Sequence, residues 1–135
     1  MNGRFSIAIH IMTLLTKAEG ELLSSEFIAS SINANAALVR KELSNLRNNG
    51  LILSKEGATG GYTLGKDATS IRLSDIYQSV KQQSILGHAK NLPNPACPVG
   101  RQINQHLDTL YKEVEETLTE KLVTKTLAEF TGQFD

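Results

Sequence analysis

One thiol, three imidazoles and a cluster of basic side chains are the groups in this chain whose types and spacing could do chemistry. The thiol is Cys97, within Asn94-Pro95-Ala96-Cys97-Pro98-Val99-Gly100-Arg101. Pro98 suits the first position of a helix, which puts Cys97 at its cap, where the positive end of the helix dipole and Arg101 would stabilise a thiolate. The plainer reading of a lone cysteine is a small buried hydrophobe. One cysteine cannot close an internal disulfide, nor supply a thiolate-rich zinc or iron–sulfur site. His10, His88 and His106 are scattered, with no H-x-x-x-H spacing or carboxylate partner, and read as structural or surface residues rather than metal ligands. The glycines of Gly57–Gly61 fall between two β-prone runs and not at a helix start, so they do not form a phosphate loop. No nucleophile–base pair is recognisable. These residues imply no cofactor and no enzyme.

The basic side chains are unevenly distributed. The 135 residues carry 14 Lys+Arg against 14 Asp+Glu, a balance that on its own argues against a polyanionic partner. Residues 1–66 nevertheless hold seven bases and five acids, and residues 67–135 seven bases and nine acids. Within 40–66 five bases (Arg40, Lys41, Arg47, Lys55, Lys66) face two acids. Neutrality is the sum of two unlike halves.

The elements that must position these groups follow from periodicity. From Phe5 to Leu15 the residues Phe5, Ala8, Ile9, Met12 and Leu15 recur at helical spacing, and Ile7, Ile11 and Leu14 form a second apolar face, so this helix should be buried on two sides. Gly20 marks the loop that follows. Ser24 or Ser25 can cap a short helix bearing Phe27, Ile28 and Ile32, and Asn33-Ala34-Asn35 makes a tight turn in which Asn35 caps the next helix. That helix runs to about Asn49 and stops at Gly50. Its Val39, Leu43 and Leu46 form one core stripe and leave Ala37, Arg40, Lys41, Ser44 and Asn48 largely outward. Leu51-Ile52-Leu53 and Tyr62-Thr63-Leu64 then flank Gly57-Ala58-Thr59-Gly60-Gly61 as a hairpin, whose glycine-rich turn could approach another surface closely.

Further on, Ser74 or Asp75 can cap a short helix through Ile76, Tyr77 and Val80. Residues 81–98, which contain all three prolines, read as a loop. A long amphipathic helix follows, with Ile103, Leu107, Leu110, Tyr111, Val114, Leu118 and Leu122 on one stripe and Glu113, Glu115 and Glu116 on a solvated side. No 18-residue apolar span forms near the N-terminus, since His10, Thr13, Thr16 and Lys17 interrupt it. The expectation is therefore a reduced, soluble, cytoplasmic protein with no membrane partner.

Helix, short helix, tight turn, helix with outward bases and then a hairpin is the order of a winged helix-turn-helix. The fold class expected is mainly α with a small β-hairpin wing, plus a long C-terminal dimerisation helix. Its parts are a DNA-binding domain over 1–80, a loop over 81–98, and the helix with a C-terminal tail over 99–135. A major groove admits one α-helix, whose polar side chains reach base edges and phosphates. On this geometry Ala37, Arg40, Lys41, Ser44 and Asn48 of the helix, with Lys55, Thr59, Gly60 and Tyr62 of the wing, are the candidates for contact with a double-stranded DNA operator. For any one of them the plainer reading is a solvated face. A helix of over twenty residues with a continuous apolar stripe exceeds what so small a domain can cover, so a second copy is its economical partner, through Ile103, Leu107, Leu110, Val114 and Leu118.

The sequence resembles the Rrf-two (Rrf2) family of bacterial transcriptional regulators. The resemblance rests on Arg4-Phe5 through Leu15, on Leu43-Ser44-Asn45-Leu46-Arg47-Asn48-Asn49-Gly50-Leu51-Ile52, and above all on Gly57-Ala58-Thr59-Gly60-Gly61-Tyr62-Thr63-Leu64-Gly65-Lys66-Asp67, extended by Ile71-Arg72-Leu73-Ser74-Asp75-Ile76. It implies a homodimer joined through the long helix that presents two recognition helices and two wings to a palindromic operator, usually as a repressor. The family's iron–sulfur members bring three cysteines from the loop before the long helix, where this chain has only Cys97, so cluster chemistry is not carried over. Glu56 stands where some relatives have arginine, and Ala37 and Arg40 where one relative has serine and glutamate, so the operator sequence does not transfer. Cys97, between the DNA-binding part and the long helix, is the candidate redox sensor. Two alternatives stay open: a winged-helix module that binds another protein, and a repressor switched by a small-molecule effector with Cys97 purely structural.

Overall fold

The structure is a computed structural model that describes residues 3–81, 86 and 91–135. Residues 82–85 and 87–90 of the expected loop, His88 among them, lie outside these. Helix α1 (Arg4–Lys17) runs through the centre, with Ala8, Ile11, Met12 and Leu15 buried. Phe5, Ile7, Ile9 and Leu14 pack half-buried around it, as two apolar faces require. It ends at Glu19 and Gly20, both left-handed at φ 51° and 91°.

Helix α2 (Ser25–Ile32) is capped by Ser24, whose hydroxyl accepts the Phe27 N–H at 3.1 Å. The turn passes through Asn33, left-handed at φ 57°, and Asn35 caps α3 (Ala36–Asn48) by accepting the N–H groups of Ala37 and Leu38 at 2.8 and 3.3 Å. Gly50, at φ 76°, ends it. Each helix start and stop is one that the local sequence dictates.

Strands β1 (Ile52–Lys55) and β2 (Gly61–Leu64) pair antiparallel, from Ile52 opposite Leu64 to Lys55 opposite Gly61. Leu23 adds a third, single-residue rung through reciprocal bonds with Tyr62 of 3.0 and 2.8 Å. The wing glycines serve this packing. A Cβ on Gly60 would lie 2.0 Å from the Lys55 carbonyl, and one on Gly61 2.6 Å from the Leu23 carbonyl. The close approaches that require glycine here are therefore within the chain.

A 3-10 turn (Ala68–Ser70) capped by Asp67 leads to α4 (Leu73–Val80). Its cap differs from the expectation. The cap is Arg72, two residues before Ser74, Ser74 is buried inside the helix, and the Asp75 carboxylate reaches back to the Arg72 N–H at 2.8 Å. Helix α5 (Pro98–Val123) has Pro98 in its first turn and Cys97 as cap. A last helix, α6 (Leu127–Thr131), is closed by a capping box between Thr126 and Glu129. The sequence reading joined these residues to the long helix as a tail. Instead Leu127 is fully buried in the same core as α1, and its N–H bonds the Ile71 carbonyl at 2.8 Å.

Candidate nucleic-acid interface

On α3 the core stripe is Val39, Leu43 and Leu46, joined by Glu42, which is 1% exposed. At about 100° per residue, Ala37, Lys41, Ser44 and Asn48 point directly away from that stripe. All four are exposed. Arg40 and Arg47, seven residues apart, form an exposed flank beside them. Arg47 is not among the candidates taken from the sequence, although its spacing from Arg40 places it on the same flank. Its guanidinium donates to Ser54 Oγ of the wing at 3.3 Å, which joins helix and hairpin into one surface.

Glu42 alters the electrostatics. Arg4 Nε and a second guanidinium nitrogen bond its two oxygens at 2.6 and 3.1 Å. The hydrogen bond to Glu42 also raises the Arg4 guanidinium above its ordinary value, against the opposing effect of burial. One of the two acids counted in 40–66 is thus hidden and paired. The outward charge of the segment is Arg40, Lys41, Arg47, Lys55 and Lys66 against Glu56 alone, all exposed. That surface suits a polyanion better than the sequence count indicated.

On the wing, Lys55 and Thr59 are exposed and Gly60 half-buried at the turn, where its N–H bonds the Gly57 carbonyl at 3.0 Å. Tyr62 stands apart. It is half-buried, packs against the core and is backbone-paired to Leu23.

At the cap of α5 Cys97 is exposed, and its Sγ accepts the Gly100 N–H at 3.5 Å. Arg101, expected to face the thiol, donates from its guanidinium to the Pro95 carbonyl at 3.3 Å. His10 pairs with Ser31 Oγ at 3.1 Å and His106 is exposed. Among the described residues no three His, Cys, Asp or Glu side chains converge as a metal site, and no helix is long and apolar enough to cross a membrane. Along α5, Ile103, Leu107, Val114 and Leu118 are half-buried and Leu110 is 49% exposed. The buried side chain of this helix is instead Glu115, which corrects its placement on a solvated side. Its oxygens accept the Tyr77 hydroxyl at 2.9 and 3.0 Å, and Lys81 Nζ lies 3.5 Å away.

Comparison with known proteins agrees with this geometry. Residues 1–133 match the family described as "Rrf2: Iron-dependent Transcriptional regulator". YwnA of Bacillus subtilis (strain 168), assigned as an HTH-type transcriptional regulator, is 36% identical over 127 residues, covering 94% of this chain and 93% of that one. The HTH-type transcriptional regulator IscR of Yersinia pseudotuberculosis is 26% identical over 98% of this chain and 78% of its own. The structure of CymR, the global cysteine regulator of B. subtilis, superposes with a TM-score of 0.74 at 26% identity, over 100% of this chain and 98% of that one. The iron in the family's description finds no matching donor set here: the chain has one thiol, and no cluster of donors forms among the described residues. By its sequence, its winged helix-turn-helix and its exposed recognition helix, the chain belongs to the Rrf2 family of DNA-binding transcriptional regulators.

Proposed function

We propose that this protein is a homodimeric cytoplasmic repressor of a palindromic operator, with α3 in the major groove and the wing on the adjacent backbone. The observation that carries the reading is the face of α3. Ala37, Lys41, Ser44 and Asn48 point outward together, beside a basic flank tied to the wing, while the neighbouring acid is buried. A helix so placed meets base edges along its centre and phosphates along its flanks. The dimer is supported by α5, none of whose apolar side chains is buried within the chain. An isologous contact through Ile103, Leu107, Leu110, Val114 and Leu118 would cover them.

The test is a salt titration of binding to fragments selected from a random DNA pool. Phosphate contacts release counterions, so affinity should fall steeply with ionic strength and differ between selected and scrambled duplexes. A flat response would favour the rival reading of a module that binds another protein.

Two signals are compatible with this function. Cys97 is exposed at the helix cap, between the DNA-binding part and the stripe assigned to the dimer, so its oxidation could shift the spacing of the two wings. Operator affinity should then respond to diamide in the wild type and not in Cys97→Ser. Identical responses would remove the thiol. A small apolar effector is the second reading, favoured by a cleft of about 530 Å³ between α1 and α6, lined by Phe5, Ile9, Leu14, Leu73, Phe130 and Phe134. Under that reading Leu14→Trp, which fills the cleft, leaves operator binding intact and abolishes induction in cells.

A further inference from the structure

Glu42 and Glu115 are the two buried carboxylates among the described residues, 1% and 9% exposed. One sits on the recognition helix and the other on the long helix. Consecutive residues at the start of α1 connect them. Arg4 grips Glu42 through two hydrogen bonds, and Phe5 meets the Tyr77 ring edge-on, with centroids 5.7 Å apart and planes at 82°. The Tyr77 hydroxyl then donates to both oxygens of Glu115, which Lys81 also approaches. A parallel contact runs from Asn45 of α3 to the Ser79 carbonyl of α4 at 2.8 Å. One turn of α1 thus touches the series that leads to α3 on one side and to α5 on the other.

Packing alone does not call for such groups. A buried ion pair adds little net stability over an apolar pair of like volume, whereas its hydrogen bonds are directional and hold one arrangement against others. Displacing α5 at Glu115 must either break its bonds to Tyr77 or carry Tyr77 along. Tyr77 abuts Phe5, and a shift of the α1 backbone at Phe5 moves the adjacent Arg4 against Glu42.

We propose that Tyr77 and Glu115 are positioning residues for DNA recognition, acting through Phe5 and Arg4 on Glu42, so that the placement of α5 sets the orientation of α3. The proposal rests on the reading of α3 as the DNA-binding helix. It assigns the long helix a second task besides pairing, as the lever through which events at the dimer end reach the operator.

Double-mutant cycles on the full-length protein test it, with affinity measured for a selected operator and for a scrambled duplex. Tyr77→Phe keeps the ring against Phe5 and removes the hydroxyl bond to Glu115. Operator affinity should fall about tenfold with binding to scrambled DNA unchanged, a coupling of ordinary size for linked sites. Glu115→Gln, which keeps an acceptor oxygen, should recover most of the operator affinity lost in Glu115→Ala. Combining Tyr77→Phe with Glu42→Gln should cost clearly less than the product of the single effects, and Arg4→Lys replaces Glu42→Gln if the latter does not fold. Multiplicative effects, or equal losses on both duplexes that track the folded fraction, would overturn the proposal. A wild type that shows no operator preference would instead overturn the DNA-binding reading beneath it.

Discussion

At the scale of single residues, Arg40 and Tyr77 make opposite demands. Arg40 is exposed on the outward side of α3, so its removal should leave the core untouched. Arg40→Ala is expected to weaken operator binding by roughly 1–3 kcal/mol if the guanidinium reads a base. If it holds a phosphate, the loss is uniform across sequences and the salt slope drops by about one. Gel-shift titrations at two or more ionic strengths separate the outcomes, with melting temperature as the control for folding. Tyr77, besides the positioning role proposed for it, bears on stability. Burial, and then its bond to Glu115, push its phenol up from 10.0 to about 12. The protonated hydroxyl therefore stabilises the fold fully below about pH 10, and that contribution is lost as pH rises from there through about 12. Melting curves over that interval should show the wild type losing stability faster than Tyr77→Phe, which has no proton to lose. Parallel curves would show that the phenol holds its proton equally in the folded and unfolded chain.

At the scale of elements, the wing makes the sharpest prediction. Gly60→Ala would place a Cβ 2.0 Å from the Lys55 carbonyl, so the turn must open. Overpacking of this kind costs about 1–3 kcal/mol. Hydrogen exchange should show protection lost between Lys55 and Gly61 while α1 stays protected. The elements also show why part of the design was legible in sequence and part was not. The helix starts at Ser24, Asn35 and Cys97 are local pairings between a side chain and the nearest free backbone groups, the stop at Gly50 needs only a left-handed residue, and spacing alone reveals them. The outward face of α3 was readable for the same reason, as the complement of Val39, Leu43 and Leu46. Glu42 and Glu115 were not read as buried, because their partners Arg4 and Tyr77 lie 38 residues away in each case. Glu42 does neighbour Leu43 on the core stripe, but a charge there looks like an exception until Arg4 is placed. Helix α6 left a signal in Thr126-x-x-Glu129, yet five residues are too few for periodicity to show. The wing glycines were read as open to an outside surface; Gly60 and Gly61 instead accommodate the carbonyls of Lys55 and Leu23, while Gly57 has open space around it.

At the scale of the whole molecule, the two ends of the chain share one core. Leu127 is fully buried beside α1, the Leu73 N–H bonds the Lys125 carbonyl at 2.9 Å, and Arg72 and Thr126 form an antiparallel bridge. Leu127→Ala should therefore destabilise the DNA-binding unit by about 2–5 kcal/mol, even though it lies beyond the long helix. Calorimetry should find one cooperative transition at a lower temperature. Two transitions, with the unit formed by α1 to α4 unaffected, would show that the last helix is an appendage. Helix α5, about 39 Å long, thereby stands in the chain between two parts of one core, with Val80 before it and Leu127 after it. This route has a consequence for the order of synthesis. A ribosome delivers α1 to α4 first and α6 last, so a nascent chain that has already exposed its recognition helix still lacks Leu127 from its core. The surface assigned to DNA matures only after the helix assigned to pairing has been made, and partly synthesised chains would then be poor competitors for the operator.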